Sequence, residues 1–117
     1  MTKKQTVYAV HWPEINVFKV GISERKRWRT FVNRGANVLA IMDDFDDYIG
    51  ASDFEAACHF AAESVCRPAF TSAREAVSYL GNHGGGYMEC YRVPGDLMPS
   101  EILRFLDSQL AVLHAQA

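Results

Sequence analysis

Hydrophobic and polar positions divide this chain into short segments of differing period. Val7-Tyr8-Ala9-Val10-His11-Trp12 and Val17-Phe18-Lys19-Val20 are rich in β-branched and aromatic residues and flank Pro13-Glu14-Ile15-Asn16. Pro, Glu and Asn between two such runs are turn chemistry, so the pattern predicts a β-hairpin. Gly21 ends the second strand in this reading. Ser23 then N-caps a helix through Lys26, Arg27, Trp28, Arg29 and Phe31, because its hydroxyl can accept a first-turn backbone N–H. Arg34-Gly35 stops that helix. The run Asn37-Val38-Leu39-Ala40-Ile41-Met42 is apolar and of strand length, which suits the centre of a small sheet. Asp43-Asp44-Phe45-Asp46-Asp47 reads as an acidic loop whose spacing matches no calcium loop.

Ser52-Asp53-Phe54-Glu55 has the spacing of a capping box and opens a second helix. Along it Phe54, Cys58, Ala61 and Val65 recur as a core-facing stripe, and Glu55 and His59 are neighbours on the next stripe. Arg67-Pro68 ends this helix, and a second capping box, Ser72-Ala73-Arg74-Glu75, starts a short one that stops at Gly81. Asn82-His83-Gly84-Gly85-Gly86 is a glycine-rich connector that lacks the ending of a phosphate loop. Tyr87 to Val93 alternates as a strand, with Tyr87, Glu89, Tyr91 and Val93 on one face. After Pro94-Gly95-Asp96, the residues Ile102, Leu103, Leu106, Leu110 and Leu113 form the apolar side of a last helix over about 100–115. The expected fold is α+β: a small three-stranded, mainly antiparallel sheet flanked by helices. It forms a single domain over 1–117, with its core at about 6–93 and Tyr87–Val93 adding to an edge.

Composition narrows the class. A chain of 117 residues with 49 % hydrophobic content holds one modest core. No apolar run reaches the length of a membrane span, and Met1-Thr2-Lys3-Lys4 does not start a signal peptide. Three cysteines without CxxC spacing suit reduced thiols, and the expected location is the cytoplasm. The net charge is −2, but its distribution is uneven. Residues 1–36 carry eight Lys or Arg against two acids, and residues 37–117 carry four against twelve. Such a local cationic patch can neutralise phosphate at one face, or be no more than a solvated helix surface.

A hairpin with a tyrosine on its first strand, leading into a cationic helix, resembles the GIY-YIG nuclease superfamily. Val7-Tyr8-Ala9 stands for the first motif, Lys19-Val20-Gly21 for the second and Lys26-Arg27-Trp28 for the arginine motif. Lys19 in place of the second tyrosine is familiar in the phage-type and restriction-type branches. The resemblance covers about residues 6–93 and implies a divalent-metal-dependent DNA endonuclease, phage-encoded or a defence enzyme, that uses Mg²⁺ or Mn²⁺. Tyr8 then positions or deprotonates the attacking water, with Lys19 as the nearby charge that favours phenolate. Arg27 stabilises the transition state, with Arg29 as its alternate. Glu55 binds the metal, and His59 in the pattern E-x3-H is an alternate catalytic, second-shell or structural residue. Arg25, Lys26, Arg29 and Arg34 would contact DNA. Glu89, in Gly86-Tyr87-Met88-Glu89-Cys90-Tyr91, takes a structural role.

Each assignment has a plainer counterpart in the residues themselves. Tyr8 can simply brace the hairpin, and Glu55 can simply close the capping box with Ser52. The function classes that follow are the endonuclease and a catalytically inactive module of the same fold that binds nucleic acid or protein. The absent first glycine and the acidic remainder of the chain favour the second. The leucine face of the last helix offers a homodimer contact. The nuclease reading requires Tyr8, Arg27 and Glu55 to line one concave surface.

Overall fold

A computed structural model describes residues 5–23, 26–45, 48–64, 66–93, 95, 101, 104, 107 and 108, with backbone only for 42–45, 48 and 49. Strands β1 (Gln5–Trp12) and β2 (Val17–Ser23) form the expected hairpin. Its turn is fastened by His11 Nε2, 2.8 Å from Asn16 Oδ1. Asn16 adopts a φ of 52°, a left-handed conformation in which Asn is enriched. β3 (Asn37–Phe45) pairs with the other side of β1. β5 (Cys90–Arg92) pairs with β2, and β4 (Arg67–Pro68) pairs with β5. The sheet is antiparallel and five-stranded in the order β3-β1-β2-β5-β4.

The α+β class therefore holds, while the expected three strands become five. The hairpin occupies the sheet's interior. Asn37–Met42 lies on an edge rather than at the centre, and its strand continues through Asp43-Asp44-Phe45, which read as loop. Edge placement explains why Val38 and Ile41 are both more than one-third exposed. Arg67-Pro68 does not end a helix directly but forms the opposite edge, where a residue without an N–H is tolerated. The alternating stretch Tyr87–Val93 is strand only over Cys90–Arg92, because Tyr87–Glu89 closes into a 3-10 turn.

Side chains alternate across the strands, so the sheet has two cores. On one face, α1 (Trp28–Val32) and α3 (Ala73–Leu80) cover Tyr8, Val10, Trp12, Val17 and Cys90. On the other, α2 (Tyr48–Glu63) covers Val7, Ala9, Phe18, Val20 and Tyr91. The stripe of Phe54, Cys58 and Ala61 faces this second core as expected; Val65 lies outside the described residues. α1 is shorter than its pattern suggested. Ser23 belongs to β2, and α1 starts after Arg27 without a side-chain cap. α2 begins at Tyr48, so Ser52 sits within the helix and cannot be its N-cap. At α3 the cap forms, with the Ser72 hydroxyl accepting from the Glu75 N–H at 3.4 Å. The Glu75 carboxylate reaches Thr71 rather than Ser72, accepting from its N–H at 3.2 Å and its hydroxyl at 2.6 Å.

Of the expected C-terminal helix, Glu101, Arg104, Asp107 and Ser108 are helical and exposed; its leucine face and any dimer contact there lie outside the described residues. Among the described residues, no helix is long and apolar enough to cross a membrane.

Gly21 does not end β2. It lies within the strand directly opposite Tyr8, and a Cβ there would overlap the Tyr8 hydroxyl and ring. Absence of a side chain at Gly21 is what lets the phenol lie across β2. Gly21→Ala should therefore destabilise the fold by about 1–3 kcal/mol through overpacking. A urea unfolding midpoint equal to that of the wild type would contradict this account of the glycine.

Candidate active site

Lys19 points from β2 into the face covered by α1 and α3, and its side chain is only 3 % exposed. Its Nζ lies 5.5 Å from the Tyr8 ring centroid and 5.6 Å from that of Phe31. A buried ammonium needs a partner, because its charge has lost water. Glu89 supplies it, accepting from Lys19 Nζ at 3.1 Å. The 3-10 turn makes this contact possible. β5 pairs with β2 only as far as Lys19↔Cys90, and the turn then folds Glu89 back over the end of that pairing. Gly86, at φ 86°, starts the turn; a Cβ there would crowd Lys19 Nζ at 3.2 Å.

Tyr8, Lys19, Arg27 and Glu89 line one cavity of about 530 Å³, together with Phe31, Asn82 and Gly86. Arg27 stands at the start of α1 and is exposed. Burial raises the Tyr8 hydroxyl above its ordinary pKa, and the charge of Lys19, though it acts the other way, does not overcome this. Tyr8 is therefore a phenol at neutral pH and cannot take a proton from water there. Burial also opposes the Lys19 charge, but Tyr8 and Glu89 outweigh it and raise the ammonium's pKa.

Glu89 has a second set of neighbours. Its Oε2 is 3.5 Å from His59 Nε2, and Glu55 Oε2 lies 3.7 Å from the same nitrogen. Glu55 and His59 belong to α2, on the opposite face of the sheet from Tyr8. Glu55 is not among the residues lining the cavity. The expected single surface of Tyr8, Arg27 and Glu55 is not formed, because the sheet lies between their elements. Glu89 is the carboxylate that faces the cavity, and it meets Glu55 and His59 round the open end of the β2–β5 pairing. The structural role expected for Glu89 agrees with its bond to Lys19, while its place on the cavity was not part of that expectation. The signal was the Gly86-x-x-Glu89 spacing, which is the length of the turn. The capping explanation of Glu55 also falls, since Ser52 is not a cap.

Burial opposes ionisation of Glu89, but His59 and Lys19 outweigh it and hold its pKa at about 2. Burial likewise opposes the charge on His59, and the two flanking carboxylates raise it to about 9. Glu55, His59 and Glu89 each offer one ligand atom, all within 4.8 Å of one another. The donor set fits a divalent cation: two carboxylates and an imidazole, with Glu55 Oε2 and His59 Nε2 buried and without a hydrogen bond.

The remaining candidates are dispersed. Lys26 and Arg29 are exposed, and Arg29 lies over the Trp28 ring at 5.6 Å rather than in the cavity. Arg34 donates to the Ser78 carbonyl at 3.3 Å and so ties the end of α1 to α3. Arg25 lies outside the described residues. Cys58, Cys66 and Cys90 are free; burial pushes Cys58 up to about 11 and Cys90 to about 12, which rules out either as a thiolate nucleophile at neutral pH.

Comparison of the chain with protein-family models, curated proteins and solved structures finds no match.

The cluster makes stability depend on pH at both ends of the range. Glu89 ionises more readily folded than unfolded, so its contribution is present above about 4.5 and is lost as pH falls toward about 2. His59 protonates more readily folded, so its contribution is full below 6.5 and is lost as pH rises through about 9. In chelator-treated protein, urea midpoints should fall along both limbs, and His59→Gln should flatten the alkaline one. An alkaline limb as steep in the variant as in the wild type would remove His59 as its cause.

Proposed function

We propose that this chain is a divalent-metal-dependent DNA endonuclease that hydrolyses phosphodiester bonds, in a form in which Glu89 and not Glu55 is the carboxylate on the cavity shared by Tyr8 and Arg27; the form that required Glu55 on that surface is set aside. The observation that carries this reading is the convergence of Tyr8, Lys19, Arg27 and Glu89 on one cavity. Arg27 can donate two parallel hydrogen bonds to a phosphate and stays charged at any relevant pH. Its place on the cavity favours it over Arg29 as the stabiliser of the transition state. Lys19 adds a fixed positive charge whose position is set by Glu89 and needs no rearrangement when charge develops on the phosphate. Tyr8, held as a phenol, orients the attacking water through its hydroxyl. Glu55 and Glu89 are the carboxylates that would hold the cation, with His59 beside them. Such a cation, Mg²⁺ or Mn²⁺ by the resemblance to GIY-YIG enzymes, would polarise the phosphate and lower the pKa of water bound to it. Lys26 and Arg29 supply exposed charge near α1 for the DNA backbone, and Arg34 is already engaged with Ser78.

A second reading has its own support. Glu55 approaches from the far face of the sheet, and Tyr8 is not a phenolate at neutral pH. Both suit a module that keeps the fold and binds nucleic acid or protein without chemistry.

Purified protein with Mg²⁺ or Mn²⁺ should nick or cut DNA, and a chelator should abolish the reaction. Arg27→Ala should lower the rate by about 10²–10³-fold with DNA binding largely kept, as expected for a donor that acts in the transition state. Arg29→Ala should instead weaken binding and reduce the slope of log affinity against log salt by about one. A wild-type protein that binds DNA but leaves single-stranded, duplex and branched substrates intact with either metal supports the binding module and removes the enzyme.

A further inference from the structure

His59 is the member of the edge cluster that a magnesium site does not require. Its two ring nitrogens have different surroundings. Nδ1 lies 2.7 Å from the Tyr91 hydroxyl, while Nε2 is buried and makes no hydrogen bond. Glu89 is divided in the same way: Oε1 is held by Lys19 at 3.1 Å, and Oε2 faces His59 Nε2 at 3.5 Å. Glu55 Oε2 is also buried, makes no hydrogen bond and lies 3.7 Å from that nitrogen. Buried polar atoms ordinarily find partners. Here Glu55 Oε2 and His59 Nε2, which make no hydrogen bond, and Glu89 Oε2 lie within 4.8 Å of one another. A histidine that ligates a metal is ordinarily fixed through its second nitrogen, as Tyr91 fixes this one.

The donor types bear on which cation fits: the three ligand atoms lie within 4.8 Å of one another, and one of them is an imidazole nitrogen. Mg²⁺ takes oxygen ligands and gives up water reluctantly, whereas imidazole suits transition ions.

We propose that Glu55, His59 and Glu89 form a three-ligand centre for a divalent transition cation, with Zn²⁺ bound most tightly, Mn²⁺ next and Mg²⁺ least. His59 is the ligand that selects the metal, and Tyr91 is its positioning residue. Three protein ligands leave a coordination position for water or a substrate oxygen. The proposal deepens the hydrolase reading, for which the resemblance implies Mg²⁺ or Mn²⁺, by ranking the cations that the cluster itself would hold, and it rests on that reading only for what the cation does.

The test is metal binding by the full chain, stripped with chelator and titrated calorimetrically with Zn²⁺, Mn²⁺ and Mg²⁺, with Mn²⁺ binding checked by electron paramagnetic resonance. Zn²⁺ should bind at one site at least about 100-fold more tightly than Mg²⁺, with Mn²⁺ between them. His59→Gln should weaken Zn²⁺ by about 10–100-fold and change Mg²⁺ by no more than about threefold. Tyr91→Phe keeps the ring that packs on His59 and removes only the hydroxyl, so it should weaken Zn²⁺ by about tenfold. Mg²⁺ binding as tightly as Zn²⁺ in the wild type overturns the proposal without recourse to any variant. So does Zn²⁺ affinity that is unchanged in a folded His59→Gln. His59-dependent Zn²⁺ binding without DNA cleavage by any of the three metals upholds the centre and counts against the hydrolase. Mg²⁺-supported cleavage with His59-independent metal binding upholds the hydrolase and removes this centre.

Discussion

A lysine ammonium buried in an aromatic pocket is the constraint around which the candidate site is arranged. Lys19 has Tyr8 and Phe31 beside it and almost no water, and a charge in that setting must be paired or lost. Its partner cannot come from β1, where Val10 is opposite it, nor from the β5 residue across from it, Cys90. It comes from Glu89, one residue before β5 begins. The chain reaches that position because Gly86 permits a tight turn and leaves space for the lysine head. Pairing of Lys19 thus fixes the turn, and the turn places a carboxylate on the cavity.

The same carboxylate joins the two faces of the sheet at this edge. One oxygen serves the cavity side and the other serves α2, through His59 and next to Glu55. A substrate phosphate at Arg27 and a cation at the Glu55–His59–Glu89 cluster would therefore be read by adjoining groups rather than by one pocket. Burial keeps the Tyr8 phenol protonated; under the proposed function it would orient a water, and activation of that water would fall to the cation.

Local signals in the sequence were legible where the structure they encode is local. The hairpin turn at Pro13–Asn16, the cap at Ser72 and the stop at Gly81 each depend on residues within four or five positions. The position of β3 on an edge, and the addition of β4 and β5, depend on pairing between distant segments, which apolar runs do not specify. Ser52-x-x-Glu55 and Ser23 show the converse limit. Both match cap patterns, yet one lies inside α2 and the other inside β2, because a serine is compatible with either setting when its neighbours are held by the sheet. Tyr8, Lys19 and Arg27 were visible as a set through the motif order. Glu89 was not, since alternation in Tyr87–Val93 looks like a strand until the glycine turn before it is known to fold the first three residues away.

A double-mutant cycle on Lys19 and Glu89 addresses the central claim most directly. Lys19→Met, Glu89→Gln and the double variant would be compared by urea unfolding with the wild type. Coupling of about 1–3 kcal/mol, with the double variant more stable than the sum of the single losses implies, is the predicted result. Additivity within about 0.5 kcal/mol would show that the two side chains do not hold each other, and the turn's position would then need another cause.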